Sequence, residues 1–293
     1  INAVYEYIQT SKDNAFLPEV WDVLKRIMTA YEKGTDYHIG MDSDCLIQAG
    51  ADLEQLTWMD VRVGEYLPTP RHGKPVEINA YWYNDLEIMK QFALLQQDNK
   101  LAQHYAELAD KVKEAFLLKF WNEEENCLKD VLSGNSEENQ VRCNQVWVLS
   151  MPYTMLPKEK ELCVLHKIKE ELYTTAGLRT LSPKDSAFHD IYIGSMQERD
   201  RAYHQGTVWA FPLGAYYRAW IKYLRQDASD NTSVYKAELA EGIEAIRYWL
   251  EEGCLGQLAE IYDGANPTVS RGCFAQAWSV GELLRAVYEW EQL

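Results

Sequence analysis

Residues 76–120 read VEINAYWYNDLEIMKQFALLQQDNKLAQHYAELADKVKEAFLLKF. In the second half, Leu101, Tyr105, Leu108, Val112, Ala115 and Phe116 recur at three- and four-residue spacing, the mark of a helix that buries one face. The first half reads helical over Val76–Leu95, with Pro75 suited to its first turn, where a missing N–H is harmless. Only the polar run Gln97–Lys100 separates the halves. So short a connection predicts two antiparallel helices, Val76–Leu95 and Leu101–Phe120.

The same pattern continues in both directions. Helices are expected over residues 1–10, with Val4, Tyr7 and Ile8 on one side, and over Leu17–Tyr31, ended by Gly34. Others are expected over Asn144–Leu156, kinked or ended by Pro152; Lys158–Tyr173; Thr207–Leu224, disturbed by Pro212; Ser233–Leu250; and Cys273–Trp290. That makes about nine. A short hairpin arm over Asn126–Leu132 is the one strand signal, and no βαβ pattern is visible. Between helices, short polar links alternate with the long Gly/Pro/Asp-rich connections 35–75, 174–203 and 252–272. Long connections in a compact chain are usually functional. The expectation is an all-α toroid of helical hairpins, a single domain over residues 1–293, with the site at the long-loop end.

Composition narrows the function. There are 29 basic and 45 acidic residues, a formal charge of −16. This argues against general nucleic-acid binding, which needs Lys and Arg to neutralise phosphates. No apolar run approaches the roughly 18 residues of a membrane span, and no secretion signal opens the chain. The six cysteines show no metal or redox spacing, so free thiols and a cytoplasmic setting are expected. The sequon Asn231-Thr-Ser233 is discounted because no secretion signal is seen. The six histidines have no metal-ligand spacing, and no serine elbow, P-loop or His-Glu-x-x-His motif occurs. The chain has 19 Tyr and 10 Trp against 7 Phe. Such rings offer an apolar face and a polar handle, which suits the C–H faces and hydroxyls of sugars.

Two carboxylates stand out. Asp60 ends Gln55-Leu-Thr-Trp-Met-Asp60, beside Trp58 and Met59. Partial desolvation there would favour the protonated carboxyl that a general acid needs. Glu260 lies in Gln257-Leu-Ala-Glu-Ile-Tyr-Asp-Gly264, close to Asp263 and Arg271. Asp42-x-Asp44 begins like a calcium loop, but the Gly and Glu that should follow are absent. A third stretch, Arg199-Asp-Arg-Ala-Tyr-His-Gln-Gly-Thr-Val-Trp209, packs planar hydrogen-bonding groups densely. A buried helix would leave these groups needing partners, whereas a polyhydroxylated ligand would supply them. The helix starts after the two acid loops, with Glu77, Asn79, Trp82 and Tyr83 in one and Gln276 and Trp278 in the other, are expected to face the same cavity.

Together these segments resemble the glucosidase domain of glycogen debranching enzymes, the amylo-α-1,6-glucosidase family. The matching stretches are 55–60, Thr69–Asn84, Gly177–Pro183, Ala202–Trp209 and Arg271–Ser279, in the family's order. The resemblance implies an (α/α)6 toroid and hydrolysis of the single α-1,6-linked glucose at a trimmed glycogen branch point. It also implies inversion of configuration and no cofactor or metal. By motif position it makes Asp60 the acid and Glu260 the base. It implies substrate contacts from Trp58, Lys74, Glu77, Asn79, Trp82 and Tyr83, from Tyr203, His204, Gln205, Gly206, Thr207 and Trp209, and from Asp263, Gln276 and Trp278. The implied partner is glycogen or a branched α-glucan, with no nucleic acid and no membrane; the oligomeric state is left open. An aromatic-rich family motif ending in Arg-Asp has no counterpart before Ile1. With about nine helices of the twelve expected, the toroid should be incomplete at the N-terminus. Another inverting α-glucosidase of this architecture, or a non-catalytic oligosaccharide-binding module, would share much of the pattern.

Overall fold

The computed structural model describes residues 1–226, 232–265 and 269–293, except for the side chains of residues 136 and 137. Asn231 of the sequon lies outside the described residues. Ten α-helices occur among those described: α1 (Asn2–Ser11), α2 (Phe16–Lys33), α3 (Val76–Leu95), α4 (Asn99–Lys119), α5 (Val146–Ser150), α6 (Lys158–Lys167), α7 (Met196–Ala202), α8 (Phe211–Gln226), α9 (Thr232–Trp249) and α10 (Ala277–Trp290). The chain is thus mainly helical. No described helix is long and apolar enough to cross a membrane.

The α3–α4 pair forms as the sequence predicts. Asp98 caps α4 by accepting the Leu101 N–H at 3.0 Å, which satisfies an otherwise orphaned donor. Gly34 ends α2 with φ at 90°, a conformation that costs glycine little. Helix α3 is buried around most of its circumference, from Val76 to Ala93, whereas α4 buries one face through Ala102, Tyr105, Leu108, Ala109, Val112 and Phe116. Phe116 is fully buried, and a side chain of its size contributes about 1.5–3 kcal/mol by leaving water. Helix α8 is also deeply buried and packs against α5, α9 and α10. The first and last helices are linked by Arg285 to Glu6 at 3.3 Å.

The departures from the sequence reading cluster near the long loops. The helix expected over Asn144–Leu156 is cut to Val146–Ser150, because the chain becomes extended at Met151, just before Pro152. The helix expected from Thr207 starts at Phe211, with Pro212 in its first turn. Val208–Trp209 is instead a strand. The last helix starts at Ala277, not Cys273. Loop 174–203 holds the unexpected α7, opened by a capping box between Ser195 and Glu198. Helix α6 runs on into a π turn over Ile168–Leu172.

The expected hairpin over Asn126–Leu132 is replaced by two separate pairings. Cys127–Leu128 pairs with Trp121–Asn122, and Val131–Leu132 pairs with Lys74–Pro75. More consequential is an antiparallel sheet of five very short strands. Its order is Ser270–Arg271, Ile261–Tyr262, Val208–Trp209, Gly177–Arg179 and Tyr173–Thr174. It draws the loops around residues 177, 208, 261 and 271 into one layer. Gly177 is required there: a Cβ would lie 2.1 Å from the Trp209 carbonyl oxygen.

Candidate active site

The sheet places Glu260. Its neighbour Ile261 pairs with Trp209 on one side and with Arg271 on the other. The Glu260 backbone N–H donates to the Cys273 carbonyl at 2.9 Å. Its carboxylate accepts the Cys273 N–H at 2.8 Å on Oε2 and the Tyr203 hydroxyl at 2.5 Å on Oε1. Gln276 Nε2 reaches Oε1 at 3.5 Å. Gly272, with φ at 64°, leaves space for this arrangement, since a Cβ would come within 2.3 Å of Oε2. Glu260 is half-buried, with both oxygens oriented by donors. Burial raises the Tyr203 hydroxyl pKa, and the bond to Glu260 and its charge raise it further, so this group remains a donor.

Asp60 sits on an irregular segment between the fully buried Met59 and the Val63–Tyr66 bridge. Its side chain is 65% exposed, so the expected desolvation by Trp58 and Met59 is absent. Trp58 packs into an aromatic cluster. His204 adjoins Asp60, with Nε2 4.0 Å from Oδ1, and the Asp60 charge also acts on the Tyr203 hydroxyl. The His204 contact is not an ion pair. Burial, with Arg142 and Arg71 nearby, lowers the His204 pKa far below the usual imidazole range.

An aromatic cluster adjoins both acids, Tyr203 bonding Glu260 and His204 lying beside Asp60. Trp58 meets Trp147, His204, Trp209 and Phe211 edge-on, with centroids 4.9–6.2 Å apart. His204 stacks on Trp209 at 5.2 Å and 20°. Tyr203 lies 4.8 Å from both His204 and Trp209. Trp278 stacks on Phe211 at 4.2 Å and 12°, yet stays 39% exposed. Trp278, Trp58 and Tyr203 are therefore the aromatic members of the expected site that keep accessible surface.

Other expected contact residues belong to the supporting structure. Glu77 is buried in a two-point ion pair with Arg71, which also binds Asp130 at 2.7 Å. Lys74 is engaged by Asp42 and Asp44, both at 2.7 Å. Asn79 is fully buried and ties Ile47 to α3, accepting from its N–H at 2.7 Å and donating to its carbonyl at 3.0 Å. Trp82 is 4% exposed and donates to the Cys45 carbonyl, and Tyr83 is also buried. Gln205 bridges Arg142 and the Pro68 carbonyl. Gly206, at φ 133°, passes so close to Phe188 and His189 that a side chain would collide. The Thr207 hydroxyl donates to the Ala202 carbonyl at 2.7 Å. Asp263 binds Arg271 at 2.9 Å and accepts the Tyr192 N–H at 2.9 Å. Apart from the half-buried Lys74, these residues are buried, and most are paired within the protein.

Several supporting residues had no sequence signal. Asn144 accepts the Trp58 indole N–H at 2.7 Å and donates to Asp130 at 2.8 Å. Arg142 donates to the His204 carbonyl at 2.7 Å and to Gln205 at 2.6 Å. One buried ionic group, Arg71 with Glu77, Asp130 and Arg142, therefore fixes both the Trp58 and the His204 sides. The need of a packed tryptophan for an acceptor was the available clue, but nothing in the sequence names the acceptor. Tyr192, 5.6 Å from Tyr203, is another neighbour found only in three dimensions. Among the described residues, no cluster of three or more His, Cys, Asp or Glu could hold a metal ion, and all six cysteines are unbridged.

The arrangement provides an exposed carboxyl group, an oriented carboxylate and accessible aromatic faces. Comparison with known proteins is consistent with such chemistry. The family model described as amylo-alpha-1,6-glucosidase matches residues 1–285. Glycogen debranching enzyme from Saccharomyces cerevisiae is 24% identical over 318 residues, covering 91% of this chain and 20% of that protein. Mannosyl-oligosaccharide glucosidase from the same organism is 26% identical over 184 residues, covering 56% of this chain and 21% of that protein. The chain thus spans about a fifth of the length of these relatives. A solved structure titled sialidase superposes with a TM-score of 0.66 at 15% identity, over 94% of this chain and 23% of that one, a likeness of fold alone. With the family match extending across nearly all its length, the chain belongs to the amylo-alpha-1,6-glucosidase family.

Proposed function

We propose that this chain carries the catalytic site of an inverting α-glucosidase that removes α-1,6-linked glucose at glycogen branch points, on an (α/α)6 helical toroid. The observation that carries the reading is the unequal setting of the two acids. Glu260 is held by Tyr203, Cys273 and Gln276, as suits a base that must aim at one water. Asp60 is open to solvent beside His204, where a leaving group could reach it.

In this mechanism Asp60 gives its proton to the glycosidic oxygen as the C1–O bond breaks. Glu260 takes a proton from the water that attacks C1 on the opposite face. The products are β-glucose and a chain with a free 6-hydroxyl, and solvent carries the proton from Glu260 back to Asp60. Inverting hydrolysis needs about 6.5–9.5 Å between the carboxyl groups to admit the water. Trp58, Tyr203 and Trp278 offer faces for sugar stacking, with Gln276 as a polar contact. Glycogen as substrate and unbridged cysteines suit a cytoplasmic setting.

Asp60→Asn and Glu260→Gln should each lower glucose release from a branched limit dextrin by about 10²–10⁴-fold, the usual range for a lost acid or base. Oligosaccharide binding by both variants should persist. Full activity in either variant removes its carboxylate from the mechanism. Proton NMR of the first-formed glucose should show the β anomer; the α anomer would exclude inversion. The match to a mannosyl-oligosaccharide glucosidase supports a second reading, an α-glucosidase of different linkage preference. Faster hydrolysis of another α-linked glucoside than of the α-1,6 branch would favour it.

A further inference from the structure

Asp60 lacks the usual means of controlling a general acid. Its side chain is 65% exposed, so burial neither holds it in one orientation nor shields it. Beside it lies His204, which is only 1% exposed, with neither ring nitrogen hydrogen-bonded to a described residue. An orphaned polar atom at such depth is uncommon and calls for a partner. One of these nitrogens, Nε2, already lies 4.0 Å from Asp60 Oδ1.

The imidazole is the fixed member of the pair. It stacks on Trp209, meets Trp58 at 5.1 Å and 82°, and adjoins Tyr203 at 4.8 Å. Arg142 anchors its backbone carbonyl at 2.7 Å. Asp60, on an irregular exposed segment, is the member that can turn. Closing 4.0 Å to hydrogen-bond length takes a shift of about 1 Å, and such contacts commonly tighten only when substrate is bound.

We propose that His204 is a positioning residue for the acid: its Nε2–H donates to Asp60 Oδ1, which leaves the proton on Oδ2 facing the glycosidic oxygen. This rests on the reading of Asp60 as the acid and goes beyond the sugar contact that the resemblance implies for His204. The charges around the ring suit the role. The positive charges of Arg142 and Arg71 act on it, Asp60 lies 4.0 Å from its Nε2, and Tyr203 beside it is a donor to Glu260. Burial and the two arginines keep the imidazole uncharged. An imidazolium would instead pair with Asp60 and favour loss of its proton.

The test compares two substrates on the purified protein. A branched limit dextrin needs its leaving oxygen protonated. α-Glucosyl fluoride fills only the glucose site, and its fluoride departs with little help from an acid. His204→Phe, which keeps the ring and removes the nitrogens, should lower kcat on the dextrin about 100-fold and change KM less than threefold. Its rate on the fluoride should stay within about threefold of wild type. His204→Gln, which restores an N–H near the Nε2 position, should recover at least tenfold of the loss. Asp60→Asn should show the same substrate split as His204→Phe.

Equal losses on both substrates, a rise in KM on both, or no recovery by Gln would overturn the inference and leave His204 as scaffold or sugar contact. In that case Asp60→Asn still reports separately on the acid. If Asp60→Asn loses both substrates equally, or wild type hydrolyses neither, the proposed function falls and this inference with it. Circular dichroism and thermal unfolding of His204→Phe exclude a trivial loss of fold.

Discussion

Tyr203 combines a ring face that keeps accessible surface with a hydroxyl committed to Glu260. The density of polar groups in 199–209 marked it for a sugar, yet its hydroxyl is already donated to Glu260 at 2.5 Å. A hydrogen bond to a charged group contributes about 1.5–3 kcal/mol. If that bond aims the base, Tyr203→Phe should lower kcat by about 10–100-fold while leaving KM within a few-fold. Steady-state kinetics on a branched oligosaccharide checks this; an unchanged kcat would mean that Cys273 N–H and Gln276 suffice. Glu77, Lys74 and Gln205 make the opposite point. Their chemistry suits a sugar, but each is already engaged by arginine, carboxylates or backbone. A motif records which residues stand near a site, and cannot tell the wall from the frame behind it.

At the scale of elements, the helices were legible because each repeats its apolar positions over several turns. The strands were not. Each is two or three residues long, too short for alternation to register, and Val208–Trp209 pairs with segments some 30 and 50 residues away, at Leu178–Arg179 and Ile261–Tyr262. Val208–Trp209 was absorbed into the following helix for this reason. The sheet nevertheless sets Glu260 against Tyr203, so its integrity should matter to activity more than its size suggests. Gly177→Ala forces a Cβ against the Trp209 carbonyl, which is backbone and cannot step aside. The expected cost is about 1–3 kcal/mol in a urea titration, the usual range for overpacking. Glucose release should fall as well. A variant with wild-type stability and activity would show that the strand pairing gives way freely.

For the whole molecule, buried ionisable groups make stability depend on pH in two windows. The unfolded His204 imidazole protonates near its ordinary value of 6.5, while the folded one does so only far lower. Between these values the unfolded state binds more protons. Stability is therefore intact above about pH 6.5 and is lost as pH falls below it. Glu171 acts in a lower window. Burial pushes its carboxyl up, but bonds from Ser182, Lys184 and Lys167 outweigh this and hold its pKa below the ordinary 4.5. Its contribution is present above that value and is lost as pH falls through the folded pKa. In Tm measured against pH, His204→Phe should flatten the decline between about pH 6.5 and 4.5. Glu171→Gln should flatten it below 4.5. Curves parallel to wild type in those windows would show that other groups dominate the acid response.

The sequence alone determined that the chain is mainly helical, where its long loops fall, and the two carboxylate segments that its motifs share with a glucosidase family. These are local properties: helical periodicity, turn chemistry and short motifs act within a few neighbouring residues. Tertiary structure alone decided that Asp60 is exposed, that Glu260 is held by Tyr203 and Cys273, and that His204 is buried beside the acid with ring nitrogens unpaired among the described residues. It also decided that Arg71, Arg142 and Asn144 brace the aromatic cluster from behind. Burial and hydrogen-bond partnership arise from segments tens to hundreds of residues apart, and no local pattern encodes which of them meet.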